Sequence, residues 1–362
     1  GVSPVTMDDL TSGFNIGTNY SLNSRFNDMT GFTEEEVREM LSYYASVLPF
    51  KHSIDELIKM MKPWYDNYCF SEDLYGETTM YNSVMVLYFL DNYIEGNYKI
   101  PKNMVESNVR IDYNKIRMLI RHDKEFAHDA SIIQQLITKG FAMGHLVENF
   151  PAECINDPDN FLSLLFYFGM VTIDGEYDGE TKFIIPNEVV RDQIYTYLLD
   201  TYKENDLVYD TYAKRKLESQ MAYHGNFKPY FENIADSLKR YSSQRDKQKG
   251  EAFVHGFTLA MTSQNQFYRP ISELDNDGGY ADIFLAPLCD SYKDMKDSYI
   301  IELKYCKSNS TDEQLKQLFA EASAQISRYA DSDLVRELVK TTQLHKLVVI
   351  YQGAEMATCE EV

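Results

Sequence analysis

Charged side chains interrupt two short, apolar segments near the C-terminal end of the chain. Asp282 lies in segment 278–285, and Glu302 and Lys304 lie in segment 300–305. The β-prone composition of both segments predicts strands. Residues two apart on a strand share a face, so Glu302 and Lys304 point the same way. Two carboxylates and an ammonium are costly to bury unless a cation joins them, and hard cations such as Mg²⁺ prefer oxygen ligands.

Asp282 followed by Glu302-Leu303-Lys304 resembles the core of the PD-(D/E)XK nuclease superfamily, the fold of restriction endonucleases and RecB-like nucleases. Glu251 begins a predicted helix before the first strand, where that superfamily often places an acidic residue. The order helix, strand, strand, strand, helix, strand over roughly residues 250–352 is also the order of the family.

A helix after the Glu-x-Lys strand adds to this resemblance. Gln325 and Tyr329, four residues apart, are similar to the Gln-x-x-x-Tyr motif of RecB-like members. Residues at this spacing share one helix face. They are expected to bond the attacking water, Lys304 or a phosphate.

The resemblance implies a catalytic set and its cofactor. The implied metal ligands are Asp282, Glu302, the backbone carbonyl of Leu303 and Glu251, the last through a water or a second metal. Lys304 would orient the attacking water or stabilise the charge on the phosphate. The implied cofactor is Mg²⁺ or Mn²⁺. The implied reaction is phosphodiester hydrolysis of nucleic acid that leaves a 5′-phosphate. DNA is the expected substrate because it is the more frequent one in the family.

Each of these residues also has a structural interpretation. Lys304 could form a plain ion pair with Glu302 or Asp282. The helix dipole favours an acid at Glu251, in the first turn of its helix. His255, one turn further on, fits a buried structural histidine as well as a site residue. Gln325 and Tyr329 could belong to a packing stripe of their helix.

The first half of the chain is predicted to be mainly helical. Capping boxes begin two helices, Thr33 with Glu36 and Ser53 with Glu56. Further helices are predicted at 82–93, 112–121, 129–139, 161–168 and 186–202, with a helical turn at 7–10. Segments 170–173 and 181–185 predict two strands around a turn. This hairpin indicates a winged-helix-like element, or only a cap on a helical bundle.

The first half also has a family resemblance of its own. Four stretches, at 1–16, 31–37, 64–70 and 185–191, resemble the latter part of an AAA-ATPase-like domain that precedes a PD-(D/E)XK domain in bacterial proteins. The phosphate-binding motif GxxxxGK[ST] is missing, so we predict no ATP site in this chain. The nucleotide-binding core is expected upstream of Gly1.

These observations define a fold class of α+β and α/β. The predicted first domain, 1–205, is helical and contains the winged-helix-like hairpin and the lid of the AAA-ATPase-like domain. The predicted second domain, 206–362, joins a helical linker at 206–249 to a restriction-endonuclease-like α/β/α sandwich with a central mixed sheet.

Composition limits the remaining possibilities. The formal net charge of −21 opposes broad, nonspecific binding of nucleic acid. One basic cluster just before the proposed site fits a solvated loop or a phosphate-binding one: Lys239, Arg240, Arg245, Lys247 and Lys249. Five scattered cysteines and no apolar run of ~18 residues predict a reduced, cytoplasmic protein that does not span a membrane. The oligomeric state is left open.

Three functional hypotheses follow. The first is an active Mg²⁺-dependent nuclease that uses Asp282, Glu302 and Lys304. The second is a catalytically silent nuclease fold that binds nucleic acid or protein. The third is a nuclease domain that acts only under the control of an upstream ATPase core.

Overall fold

The chain divides into two compact units. A computed structural model describes residues 5–6, 20, 22–101, 103–105, 132–148, 150–151, 154, 157–204, 210–243, 250–276, 279–289, 291–330 and 333–362. The first unit comprises 1–124 and 141–194, and the second comprises 125–140 and 195–362. The predicted helix at 112–121 and the turn at 7–10 lie outside the described residues.

The described residues form both helices and strands, with the following bounds. The helices are α1 (Glu34–Val47), α2 (Ile54–Tyr65), α3 (Ser83–Glu95), α4 (Ile132–Thr138), α5 (Pro158–Tyr167), α6 (Glu188–Glu204), α7 (Thr211–His224), α8 (Lys228–Ser243), α9 (Glu251–Ser263), α10 (Asp312–Tyr329) and α11 (Asp333–Val339). The strands are β1 (Val5–Thr6), β2 (Phe141–Gly144), β3 (Phe150–Pro151), β4 (Thr172–Tyr177), β5 (Glu180–Ile184), β6 (Tyr268–Asn276), β7 (Gly279–Pro287), β8 (Asp297–Cys306), β9 (Gln343–Gln352) and β10 (Glu355–Glu361). Within the described ranges, no helix is both long and apolar enough to cross a membrane.

Both predicted capping boxes are confirmed in the first unit. The Thr33 hydroxyl accepts from the Glu36 N–H at 3.2 Å, and the Glu36 carboxylate accepts from the Thr33 N–H at 2.9 Å. Ser53 and Glu56 make the same exchange at 3.3 and 2.7 Å. These bonds satisfy backbone donors that a helix leaves free at its start. Helices α1, α2 and α3 then pack around a buried core that includes Leu41, Leu57, Met61, Phe89 and Tyr93.

The predicted hairpin is part of a larger sheet. Strands β4 and β5 pair antiparallel as predicted, but β2 pairs with the other edge of β5, giving three strands in the order β2-β5-β4. The sequence analysis missed β2 because Phe141–Gly144 is only four residues long and lacks an alternating pattern. The winged-helix-like character of this element stays a prediction.

The second unit is built on a five-stranded mixed sheet in the order β10-β9-β8-β7-β6. The β8–β9 pair is parallel, and the other neighbouring pairs are antiparallel. The predicted order of elements ends with one strand near residue 352, but a further strand, β10, follows it. Strand β10 is polar and largely exposed, so its sequence lacks the apolar signal of a core strand.

Helices cover both faces of this sheet. On one face, Ile300, Val348 and Ile350 pack against Ala322 and Ile326 of α10. On the other face, the Tyr299 hydroxyl donates to the Met221 carbonyl of α7 at 2.7 Å, and α9 packs against β6 and β8. The layered arrangement with a central mixed sheet is the predicted one.

Candidate functional site

The pairing of β7 with β8 stops one residue short of Asp282 and Glu302. The ladder pairs Ile283 with Ile301, and one further step would place Asp282 opposite Glu302. Next to that point the Leu303 N–H donates to Asp282 Oδ2 at 2.8 Å. The Asp282 carboxylate therefore holds the β8 backbone where the two strands cease to pair, and Asp282 itself is half-buried.

Glu302 and Lys304 lie on the face of β8 that α10 covers. Residues two apart on a strand share a face, so the two side chains lie on the same face as Ile300 and Cys306, which belong to the core beneath that helix. Leu303 is buried, and strand alternation directs its side chain to the opposite face. The predicted sharing of a face by Glu302 and Lys304 is confirmed.

Glu302 is a buried carboxylate with only one oxygen paired. Its side chain is 2% exposed, and Oε1 accepts from Lys304 Nζ at 2.7 Å. The second oxygen, Oε2, is buried without a hydrogen-bond partner among the described residues. Burial and the negative charge of Asp282 raise the pKa of Glu302 to about 7, although the nearby Lys304 and Arg328 charges lower it. The Asp282 charge thus disfavours the ionised form of Glu302.

Lys304 is held as an ammonium by its acidic surroundings. Burial acts to lower the pKa of Lys304, but the hydrogen bond to Glu302 and the charges of Asp282 and Glu251 outweigh it. The net pKa is therefore raised. The predicted ion pair between Lys304 and Glu302 exists, and it leaves the amine within the acidic cluster.

Helix α9 approaches the same cluster at its N-terminal end. Glu251 is its first residue and is exposed, with its charge acting on Lys304 and Tyr305. His255, one turn later, is buried, and its Nε2 lies 3.4 Å from the Asp282 backbone carbonyl. His255 therefore contacts the Asp282 backbone instead of the carboxylates. The structural interpretation of His255 fits this contact.

Helix α10 supplies the remaining predicted residues. Gln325 is half-buried, and its Oε1 is buried without a hydrogen-bond partner among the described residues. Tyr329 ends the helix, but its side chain lies outside the described part of the chain. The sequence analysis missed Arg328, whose charge acts on Glu302. Its position three residues after Gln325 was the available signal.

Comparison with known families identifies the region that contains this cluster. Residues 249–361 match the family model of the PD-(D/E)XK nuclease superfamily. The matched nuclease domain runs from the start of α9 to the end of β10, and its mixed five-stranded sheet is consistent with a restriction-endonuclease-like fold. No curated protein and no solved structure matches the chain. The match does not extend to residues 1–205, whose resemblance to an AAA-ATPase-like domain stays a prediction.

The donor atoms of the nuclease domain suit a hard divalent cation. No group of three or more His, Cys, Asp or Glu side chains capable of holding a metal occurs within the described ranges. A cation here would instead draw on two carboxylates, Asp282 and Glu302, together with a carbonyl or water. Glu302 Oε2 offers an unpaired buried oxygen, and a cation would neutralise the repulsion between the two acids. The residues present therefore fit the metal that PD-(D/E)XK nucleases typically use.

Proposed function

We propose that this chain hydrolyses phosphodiester bonds of nucleic acid, with Asp282 and Glu302 holding Mg²⁺ or Mn²⁺. The observation that supports this proposal most strongly is the buried, unpaired Oε2 of Glu302 beside the Asp282 charge. An unpaired buried carboxylate oxygen costs stability unless a ligand satisfies it. The family match of residues 249–361 gives that ligand its chemical class.

The side chains around the pair have distinct tasks in this proposal. Asp282 and Glu302 would hold the cation, and Asp282 Oδ2 accepts from the Leu303 N–H, which ties this carboxylate to β8. The Leu303 carbonyl would add a third ligand, and Glu251 would complete the set through a water or a second metal. The cation would supply Lewis acidity that polarises the phosphate and activates water.

Lys304 provides a positive charge and N–H donors beside the two carboxylates. Its Nζ lies 2.7 Å from Glu302 Oε1 and orients the attacking water or stabilises the charge that develops on the phosphate. The water oxygen forms a bond to phosphorus, the bond from phosphorus to the 3′ oxygen breaks, and that oxygen takes up a proton. Gln325 and Tyr329, both on α10, position the water or a phosphate of the substrate. We propose DNA as the substrate.

A cleavage assay tests this proposal. Plasmid and labelled oligonucleotides, both DNA and RNA, are incubated with Mg²⁺, Mn²⁺ or EDTA. We expect metal-dependent cleavage by the wild type and a loss of at least about 100-fold in Lys304→Met and Glu302→Gln, since a positioned charge at a reacting phosphate has an effect of that size. Lys307→Met removes an exposed lysine just after β8 and serves as the matched control. Cleavage that persists in Lys304→Met and Glu302→Gln would refute the assignment.

Two other outcomes correspond to the remaining hypotheses. Tight binding of nucleic acid without turnover in any metal would indicate a silent nuclease fold. Activity that appears only after an upstream nucleotide-binding core is supplied would indicate control by an ATPase. We keep the proposal that residues 1–205 are the lid and winged-helix-like part of such a domain.

A further inference from the structure

His255 ties helix α9 to the strand that carries Asp282. Its side chain is buried, and its Nε2 lies 3.4 Å from the backbone carbonyl oxygen of Asp282. A carbonyl oxygen only accepts hydrogen bonds, so Nε2 carries the proton in this contact. Asp282 Oδ2 in turn accepts from the Leu303 N–H of β8 at 2.8 Å. A continuous chain of contacts therefore runs from α9 through Asp282 to β8.

Backbone pairing does not hold Asp282 from the side of β8. The β7–β8 ladder stops at the pair of Ile283 and Ile301. Beyond that pair, His255 contacts the main chain of Asp282, and the Leu303 N–H binds its carboxylate. These two contacts take over where the ladder ends.

Helix α9 is itself fixed in place at this point. It packs against β6 and β8, and also against α4, which the chain supplies from well before the rest of this unit. Gly256, next to His255, lies so close to Gln134 of α4 that an added Cβ would be 3.0 Å from the Gln134 amide nitrogen. Both Gly256 and Gln134 are buried. Close packing of this kind resists displacement, so the imidazole reaches Asp282 from a rigid support.

We propose that His255 is a positioning residue for the cation site. Its Nε2–H holds the Asp282 main chain, so that the Asp282 carboxylate stays bonded to the Leu303 N–H beside Glu302. This inference rests on the proposed nuclease function, in which Asp282 binds the cation. His255 touches neither the cation nor the substrate in this role. Its effect is on how well Asp282 is oriented as a ligand.

Amide hydrogen exchange in EDTA, followed by NMR, tests the contact without any metal. In His255→Ala we expect the Leu303 N–H to exchange about fivefold faster relative to the Val349 N–H of the sheet core, the effect of losing one hydrogen bond. His255→Gln should restore the wild-type ratio because its side-chain amide keeps an N–H donor. Val254→Ala is the matched control, since it truncates a buried apolar side chain of α9 next to His255. It should leave the ratio unchanged even where it lowers overall stability.

Titration with Mn²⁺ then measures the consequence for the cation site. We expect Mn²⁺ to bind about tenfold more weakly to His255→Ala, and with an affinity within about twofold of the wild type to His255→Gln and Val254→Ala. An unchanged Leu303 exchange ratio or an unchanged Mn²⁺ affinity in His255→Ala would overturn the positioning role. A His255→Gln variant that behaves like His255→Ala would do the same. A wild type that binds no Mn²⁺ would contradict the proposed function instead, and the exchange ratio would still decide whether His255 holds Asp282.

Discussion

Glu302 is the residue whose surroundings most need a ligand. One of its oxygens is paired with Lys304 and the other is buried without a partner in the described part of the chain. Asp282 adds a second negative charge on the same side of the sheet. Such an arrangement opposes stability in the absence of a cation, as is common where stability and activity conflict.

A substitution at Asp282 should separate the charge of this residue from its hydrogen bond. Asp282→Asn removes the repulsion with Glu302 but keeps an oxygen that can accept from the Leu303 N–H. In EDTA we expect its free energy of unfolding to equal that of the wild type or to exceed it by about 0.2–1 kcal/mol. Asp282→Ala also loses the acceptor and should be less stable by about 1–3 kcal/mol.

Urea denaturation of both variants in EDTA measures this difference. If Asp282→Asn proves as unstable as Asp282→Ala, the two carboxylates do not oppose each other in the folded protein. The proposed need for a cation would then lose its physical basis.

The sequence predicted part of this cluster because strand geometry is regular. A period of two residues suffices to place Glu302 and Lys304 on one face. The bond from the Leu303 N–H to Asp282 depends on where the β7–β8 ladder ends, which no local pattern records.

At the scale of elements, a largely buried hydrogen-bonded network joins three strands of the nuclease domain. His345 of β9 contacts Asp297 of β8 through Nε2 at 2.9 Å and Glu361 of β10 through Nδ1 at 2.8 Å. The side chains of His345 and Asp297 are each 9% exposed. The Tyr299 ring stacks on the imidazole with centroids 5.0 Å apart. This network fastens the polar edge strand β10 to the sheet.

Removal of the imidazole should therefore be costly. His345→Ala leaves the Asp297 carboxylate buried without its partner, and we expect a loss of about 3–5 kcal/mol in the free energy of unfolding. Lys346→Ala, a change at the next residue of β9, should cost less than about 1 kcal/mol. Equal losses in the two variants, measured by thermal or urea unfolding, would contradict a stabilising role for the network.

Helices were easier to predict than the sheet edges. The capping boxes at Thr33 and Ser53 are local signals and were confirmed. Strands β2 and β10 exist because of their neighbours β5 and β9, and their own sequences lack the apolar alternation of core strands. Helix α11, with only seven residues, was also missed.

At the scale of the whole molecule, the five cysteines report on both units. Cys154 is exposed and Cys289 is partly exposed, whereas Cys69, Cys306 and Cys359 are buried. Burial also raises the pKa of the Cys359 thiol to about 12, so little thiolate forms near neutral pH. At pH 8, we expect a thiol reagent to modify Cys154 and Cys289 rapidly and the other three only after unfolding.

Mass spectrometry of modified peptides identifies which thiols react. Samples in denaturant give the control in which all five react. Rapid modification of Cys306 or Cys359 in the native protein would contradict the packing of the nuclease domain.

The overall charge also limits how the chain meets a polyanion. With a net charge of −21, attraction to the proposed nucleic-acid substrate would have to come from local features such as Lys304 and the proposed cation. Part of the predicted basic cluster is already engaged, because Lys239 pairs with Glu355 at 2.8 Å. Residues 244–249 of that cluster lie outside the described part of the chain, so its role stays a prediction.

All of the proposed chemistry depends on a divalent cation at Asp282 and Glu302, and Mn²⁺ binding measures this directly. Calorimetric or paramagnetic titration of the metal-free protein should show a Mn²⁺ site in the wild type and in Lys307→Met. The same site should be lost, or weakened at least about tenfold, in Asp282→Asn and Glu302→Gln, since even the loss of a hydrogen-bonding partner of a metal ligand weakens metal binding by about 10–100-fold. Unchanged Mn²⁺ affinity in both carboxylate variants would contradict the account.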